Sequence, residues 1–592
     1  MTKSQWRMAS SLCVLSLAFW GCASSPKTSN TATASQTYPE VTLVNWSDFH
    51  SAVYELEGKD GKASGGIPVF MSAVENARGE GLSLLIDGGD MCQGAMTFNE
   101  AKGMGMVELM NTLNIDVATF GNHEFDYGGG VKYPDSPRGA LREMVESSHF
   151  PWVNANVVST EKNTIDSWAY DNNPPYVILE KGPYRIAVVG VLTTETPIAT
   201  TAAHVQGLEF QSPAETLQKI IPEIVEQNPD FLIVNAHVTG LPTTQFEPGE
   251  VLYNVTFDQE LGEILALPEE ILSHVDLILS GHSHKSFIAH QGNLVVVQSK
   301  NNGAEITTMK LSGDANGLHL VRDSIHKQKL KHDPIDTGCG QEKKSLEPID
   351  VGGVMLMPSQ VGVALVEKYE QRMTQNRCDV MGCFETAFER NKIGECPLGN
   401  LVADAMMAAF PEADGAAINS GGIRIDMPAG KIYRETLNSL MPFDNYLHLV
   451  RMRGENILKM LKISSSLKHG TTEVAGISYR VEPGCQNPED LNGDGTIESW
   501  ENNCLCDDVQ IQGKPLIASE FYKLAMSDFI LNGGDDHAGC FEGVETLNVG
   551  STIKEALMTY VSQQQKCMAV SDFVDANAPR VVTGSCHGHF AK

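Results

Sequence analysis

The sequence predicts an α/β protein of more than one domain, and three observations carry that expectation. Short apolar, β-branched runs alternate with helical patterns through the first half. Five of those runs lead at once into Asp, Asn or His. Of the 13 cysteines, ten lie in the second half, which sets it apart. The 592 residues also exceed what one hydrophobic core supports.

Taken in order, Val41 to Trp46 leads to Asp48-Phe49-His50, and Leu82 to Ile86 to Gly89-Asp90. Ile115 to Phe120 leads to Gly121-Asn122-His123-Glu124-Phe125-Asp126. Phe231 to Val234 leads to Asn235-Ala236-His237, and Val275 to Leu279 to Gly281-His282-Ser283-His284. Helical patterns at Pro68 to Arg78 and Pro213 to Gln227 lie between them. Such alternation implies sheet packed by helices, with the polar motifs gathered along one edge. Further on, Pro358 to Arg372 reads as a helix with Val361, Ala364, Leu365 and Tyr369 on one face.

Asp48, His50, Asp90, Asn122, His237, His282 and His284 suffice for two metal ions that share one carboxylate. Asp-x-His and His-x-His would place alternate side chains on the same side of an extended segment. Imidazole, carboxylate and amide without thiolate favour Zn, Mn or Fe. Any one of these histidines alone would read as a satisfied core or surface residue. Five strand-end motifs together are the signal.

The net charge of −31 argues against a nucleic-acid polymer or an anionic membrane surface as partner. A small anionic substrate stays open, because a local metal or Arg outweighs a distant field. Residues 1–22 read as an export signal, with Lys3 and Arg7 before the apolar stretch Met8 to Trp20. Leu17 to Cys22 resembles a bacterial lipobox, which would lipidate Cys22; ordinary signal cleavage just downstream is the rival. Ala23 to Thr37 has the composition of a flexible tether. The expected location is the periplasm or cell envelope, with a lipid anchor as the sole membrane contact. Cys92 reads as a buried thiol. Cys339, Cys378, Cys383, Cys396, Cys485, Cys504, Cys506, Cys540, Cys567 and Cys586 suggest up to five disulfides in an oxidising compartment.

Asp-x-His, Gly-Asp, Gly-Asn-His-Glu, the later His237 and Gly-His-x-His together resemble the calcineurin-like metallophosphoesterases. Ile86 to Gly94 and Gly121 to Gly128 look more narrowly like the 5′-nucleotidase/UDP-sugar hydrolase family. The resemblance implies a four-layer β-sandwich flanked by helices at 39–335, a linker and connecting helix at 336–375, and an α/β substrate-binding domain at 376–592. It also implies that Asp48, His50 and His284 hold one ion, Asn122, His237 and His282 the other, with Asp90 bridging. Paired ions polarise a phosphoryl group and activate water near pH 7. His123 resembles the family's transition-state or leaving-group histidine, oriented by Asp126; Asp126 could instead cap a turn.

Glu395 to Ala405 resembles the helix that opens the family's second domain. Asn419 to Arg424, Met441-Pro442-Phe443 and Asp528 to Asp535 resemble its substrate stretches. By that likeness Phe443 and Phe529 sandwich a base, Asn419 and Arg424 hold base or phosphate groups, and Asp535 takes ribose hydroxyls. Two departures stand out. Ser420 replaces a usual Gly, and Lys392 falls where an Arg is usual, which keeps the charge but loses the bidentate fork. The implied function is hydrolysis of nucleoside 5′-monophosphates. UDP-sugar hydrolysis, 2′,3′-cyclic phosphodiesterase activity and action on a sulfur-linked substrate are alternatives on the same metals. A calcium-stabilised surface binding protein on a retired hydrolase scaffold is the alternative of another class.

Asp490 to Glu501 is not explained by that resemblance. It fits the calcium-loop pattern, with Asp490, Asn492, Asp494 and Glu501 ligating by side chain, Thr496 by its carbonyl and Glu498 directly or through water. No EF-hand helices flank it. The expectation is a calcium-stapled insertion at 485–506 between strands Ile477 to Val481 and Val509 to Gln512; an acidic loop without metal is the alternative.

Overall fold

Strands Val41–Trp46 and Leu82–Asp87 pair in parallel, and their alternate residues serve two different cores. Val41, Leu43, Leu84 and Ile86 pack on one side, and Val44, Trp46 and Leu85 on the other. Both faces are apolar, so both must be covered. The computed structural model describes residues 38–57, 60–160, 173–314, 317–335, 339, 346–493 and 495–586. The export signal, the tether through Thr37, Cys22 and Asp494 lie outside the described residues.

A six-stranded sheet runs in the order Gly317–Lys329, Glu305–Asp314, Val41–Trp46, Leu82–Asp87, Val117–Thr119, Trp152–Val153. Opposite it lies a seven-stranded sheet in which Tyr184–Leu192, Phe231–His237 and Leu277–Ser280 are parallel neighbours. Ile186, Val188, Ile233 and Leu279 of the second sheet meet Leu43 and Ile86 of the first. Each fully buried aliphatic side chain there contributes roughly 1.5–3 kcal/mol relative to exposure. Helices Ile67–Arg78 and Met104–Leu113 cover the outer face of the first sheet, and Pro213–Glu226 that of the second. Ser212 caps the last of these on the Glu215 amide. The result is the expected four-layer sandwich.

The connecting helix runs Gln360–Glu370 and packs on the first helix layer through Leu365, Val366 and Tyr369. Its expected face is corrected at Val361, which is 56% exposed, and at Ala364, also exposed, while Gly362 is buried against Pro68. Close approach of two helices selects the glycine side.

In the second half, a five-stranded sheet is ordered Thr472–Ala475, Gly415–Asn419, Phe521–Ser527, Tyr446–Arg453, Glu545–Thr552. Helices Pro397–Ala409 and Ile553–Ser562 cover one face, and Gly454–Ser465 the other. Strands Ile477–Val481 and Gln510–Ile511 flank the insertion and pair antiparallel.

Among the described residues four disulfides form: Cys339–Cys378, Cys383–Cys567, Cys485–Cys504 and Cys506–Cys586. A fifth, from Cys396 and Cys540, does not. Cys396 caps the Pro397–Ala409 helix by accepting from the Gly399 amide, whereas Cys540 is buried on a turn bonded to Asn456. Burial pushes the Cys540 thiol up to about 12. Cys92 is a buried thiol, as expected.

Candidate metal centre and substrate cleft

The polar motifs sit where parallel strands of both sheets end, and their backbone is unusual. Asp48, His50, Asp90, His282 and His284 all have φ between 49° and 74°. The extended Asp-x-His and His-x-His geometry expected from spacing is therefore incorrect. Sharp left-handed turns aim these side chains instead. Such conformations are unfavourable for non-glycine residues and gather at functional sites. His237 differs, being the last residue of its strand, paired beside Leu192.

One donor atom from each of Asp48, His50, Asp90 and His284 lies within 4.8 Å of every other. Asp90, His237 and His282 form a second such group, so Asp90 belongs to both. His50 Nε2 approaches His284 Nε2 to 2.8 Å, and His284 Nε2 lies 3.5 Å from Asp48 Oδ1. Asp90 Oδ2 lies 3.2 Å from His237 Nε2. Asn122 Oδ1 joins the second group at 3.0 Å from His282 Nδ1.

The donor set fits metal ions. His237 Nδ1 donates to the Gly88 carbonyl and Nε2 faces Asp90. Burial works against a charged imidazole there, but Asp90 outweighs it and raises the pKa to about 10, so a metal ion at Nε2 would displace a proton. Asp48 Oδ2 is buried without a hydrogen-bond partner among the described residues. Burial holds the imidazoles of His50 and His284 well below the usual histidine range, and pushes His282 down to about 3. All three are therefore neutral and ready to ligate. Burial opposes ionisation of Asp90, but His237 and His123 outweigh it and hold the carboxyl well below the carboxylate range.

Glu124 fastens the two central turns together. Its carboxylate accepts from the amides of Asp90, Gly121 and Cys92. Gly121 is required by that closeness, since a Cβ there would lie 2.1 Å from Asp90 Oδ1. His123 Nδ1 meets Asp126 Oδ2 at 2.6 Å, while Thr200 Oγ1 donates to Asp126 Oδ1 at 2.6 Å. Burial works against a charged His123, but Asp126 and Asp90 outweigh it and raise its pKa.

Across the cleft lie Lys392, Asn419, Arg424, Phe443, Phe529 and Asp535, all lining the same cavity as His50, Asp90 and His123. Phe443 stacks 5.6 Å from the His123 ring, and the Arg424 guanidinium lies 5.6 Å over Phe443. Asn419 Nδ2 donates to Asp535 Oδ2 at 2.8 Å. Sequence reasoning missed Arg390, which also lines the cleft and donates to the Arg424 carbonyl, although it stands two positions before Lys392. It missed Thr200, His469 and Glu195 too, and no local pattern marks them.

In the insertion, Asp490 accepts from the amides of Gly493 and Gly495. Glu501 accepts from Leu491, Asn492 and Glu498. Both carboxylates thus bind the loop's own backbone.

Residues 42–286 match the calcineurin-like phosphoesterase family, and residues 374–542 match the 5′-nucleotidase C-terminal domain. Sandwich, shared-carboxylate cluster and these matches define the class, a metallophosphoesterase. A cell wall protein of Listeria monocytogenes, Lmo0130, is 25% identical over 591 residues, covering 91% of this chain and 69% of its own. A 5′-nucleotidase of Vibrio cholerae is 26% identical over 570 residues, covering 91% and 93%. The solved 5′-nucleotidase precursor of Thermus thermophilus shares the fold, with a TM-score of 0.70 at 20% identity over 92% of this chain and 99% of that one. The chain belongs to the 5′-nucleotidase family of metallophosphoesterases and is a hydrolase.

Proposed function

We propose that the protein is an exported hydrolase of nucleoside 5′-monophosphates, releasing nucleoside and phosphate. One observation carries this reading. The candidate metal groups and the candidate nucleoside groups face a single cleft of about 1300 Å³.

In this reading the metal-binding domain spans 39–335, the connecting segment 336–375 and the substrate domain 376–592. Asp48, His50 and His284 would hold one ion of Zn, Mn or Fe type and Asn122, His237 and His282 the other, with Asp90 available to both. The ions supply polarisation of the phosphoryl oxygens and activation of water. Arg424 and Lys392 neutralise the phosphate from the opposite wall. His123 keeps its Nδ1 proton on Asp126 and offers Nε2 for the proton that the 5′ oxygen needs as it leaves. Phe443 and Phe529 stack the base, and Asp535 with Asn419 takes the ribose hydroxyls.

Calcium in the loop Asp490, Asn492, Asp494, Thr496, Glu498 and Glu501 is part of the same proposal. Its support is the residue pattern, the Cys485–Cys504 closure and the turn that Asp490 already organises. A calcium-dependent rise in Tm that Glu501→Gln removes would bear it out. Export is supported by eight cysteines paired as disulfides. Among the described residues no helix is long and apolar enough to cross a membrane. Mass spectrometry of the mature N-terminus tests lipidation at Cys22.

The deciding experiment is phosphate release by the mature protein from AMP, GMP, CMP, UMP, a UDP-sugar and a 2′,3′-cyclic nucleotide, with metal and with chelator. Metal-dependent release from the monophosphates is expected. Release confined to the UDP-sugar or the cyclic ester overturns the substrate and keeps the metal centre.

A further inference from the structure

The turn that carries Asp535 is strained, and both sides of the cleft hold it. Asp535 and Asp536 are successive non-glycine residues with φ of 51° and 64°. Such a pair persists only where neighbours impose it. From the metal-binding half, the Ile198 carbonyl accepts the Asp535 amide at 3.1 Å. From the substrate half, Asn419 holds the Asp535 carboxylate, and His469 Nδ1 lies 3.9 Å from its other oxygen.

Asp536 engages two cations. Its Oδ2 lies 2.6 Å from His469 Nε2 and 2.8 Å from Lys468 Nζ. Lys468 Nζ also lies 3.3 Å from Glu195, beside the helix Thr196–Ala199 that carries Ile198. The side chains of Lys468 and Asp536 are only 16% and 11% exposed, so solvent screens this pair weakly. Burial opposes the charge on both Asp536 and His469. Their mutual hydrogen bond, with Lys468 adding to it on Asp536, outweighs burial and holds Asp536 down at about 2 and His469 above the usual histidine range.

The insertion backs the same network. The Lys468 ammonium sits 4.6 Å over the Trp500 ring. The Asn492 carbonyl lies so near Gly539 that a Cβ there would be 2.9 Å from it.

We propose that Asp536, Lys468 and His469 are positioning residues that fix the Asp535 carboxylate for a ribose diol and tie it through Glu195 to the metal-binding half. They set the affinity for the nucleoside portion and leave phosphoester cleavage alone. His469 on one oxygen and Asn419 on the other orient the Asp535 carboxylate, whose remaining lone pairs can accept from two hydroxyls. The inference deepens the nucleotide reading and rests on it.

The test is steady-state kinetics of the full mature chain, with metal supplied, on AMP and on p-nitrophenyl phosphate, which has no ribose. Asp536→Asn and Lys468→Met each raise KM for AMP about tenfold or more, as expected for losing a charge-assisted contact. They leave kcat for AMP, and both constants for p-nitrophenyl phosphate, within about threefold. Lys468→Arg, which keeps the charge, returns KM for AMP to within about threefold of the parent. Glu195→Gln, which removes only the arm across the cleft, raises KM for AMP with no change on p-nitrophenyl phosphate. An unchanged KM for AMP overturns the proposal, and so does an equal loss on both substrates. If Asp536→Asn fails to fold, Glu195→Gln decides alone. Failure of the parent chain to cleave any nucleoside monophosphate overturns the function reading itself, a result distinct from any variant effect.

Discussion

His123 Nδ1 and Asp126 Oδ2 meet at 2.6 Å across the single turn Asn122–Phe125, and the second Asp126 oxygen is held by Thr200. Of the two roles the sequence left open for Asp126, the side chain serves the imidazole and not a helix cap. The pair is built to hold one ring nitrogen protonated and the ring fixed.

That arrangement predicts a leaving-group effect. His123→Gln lowers kcat for AMP about a hundredfold or more, because the 5′ alkoxide needs a proton. The loss on p-nitrophenyl phosphate is much smaller, since its phenolate leaves unaided. Asp126→Asn follows the same pattern with a smaller loss. Equal losses on the two substrates would rule out the proton-donor role.

Asp90 belongs to both metal groups, so Asp90→Asn should lower turnover about a thousandfold or more. The variant should bind fewer divalent ions by elemental analysis, while its circular dichroism without metal stays that of the parent. Near-normal turnover would sink the bridging assignment.

Phe529→Ala should raise KM for AMP about tenfold through lost stacking, with p-nitrophenyl phosphate turnover nearly unchanged. A loss shared by both substrates would mean that Phe529 supports the fold and not the base.

Glu435 gives a pH dependence away from the metals. Its carboxylate is buried, accepts from the Met96 amide and has one oxygen without a partner among the described residues. Burial lifts its pKa from 4.5 to about 7. Between those values the unfolded chain releases the proton first, so stability falls as pH rises from 4.5 to 7 and the loss is complete above it. The shift corresponds to roughly 3 kcal/mol. Glu435→Gln stays neutral at every pH, so its Tm advantage over the parent should grow between pH 4.5 and pH 7.5. An advantage equal at both would show that Glu435 ionises freely.

Much of the metal centre was legible locally. A run such as Val41 to Trp46 announces a strand by its apolar β-branched content, and Asp48 and His50 follow it directly. The backbone there was not legible, because nothing in Asp-Phe-His distinguishes an extended segment from a left-handed turn. Hydrogen bonds from the Asp48 and His50 amides to the carbonyls of Gly89 and Asp90, a neighbouring turn, impose the geometry. Likewise Val361 fits a helical stripe as well as Gly362, and only the approach of Pro68 reveals which side is buried.

By itself the sequence determined the chemistry available to this protein: which strands carry imidazole and carboxylate at their ends, and which stretches of the second half carry aromatics and cations. These follow from local periodicity, which a chain records residue by residue. Only the tertiary structure decided that Asp90 is shared by two groups, that Cys396 and Cys540 stay apart, and that Lys468 joins Asp536 to Glu195. Those are contacts between segments far apart in the chain. Their energies depend on burial and approach, which no single segment specifies.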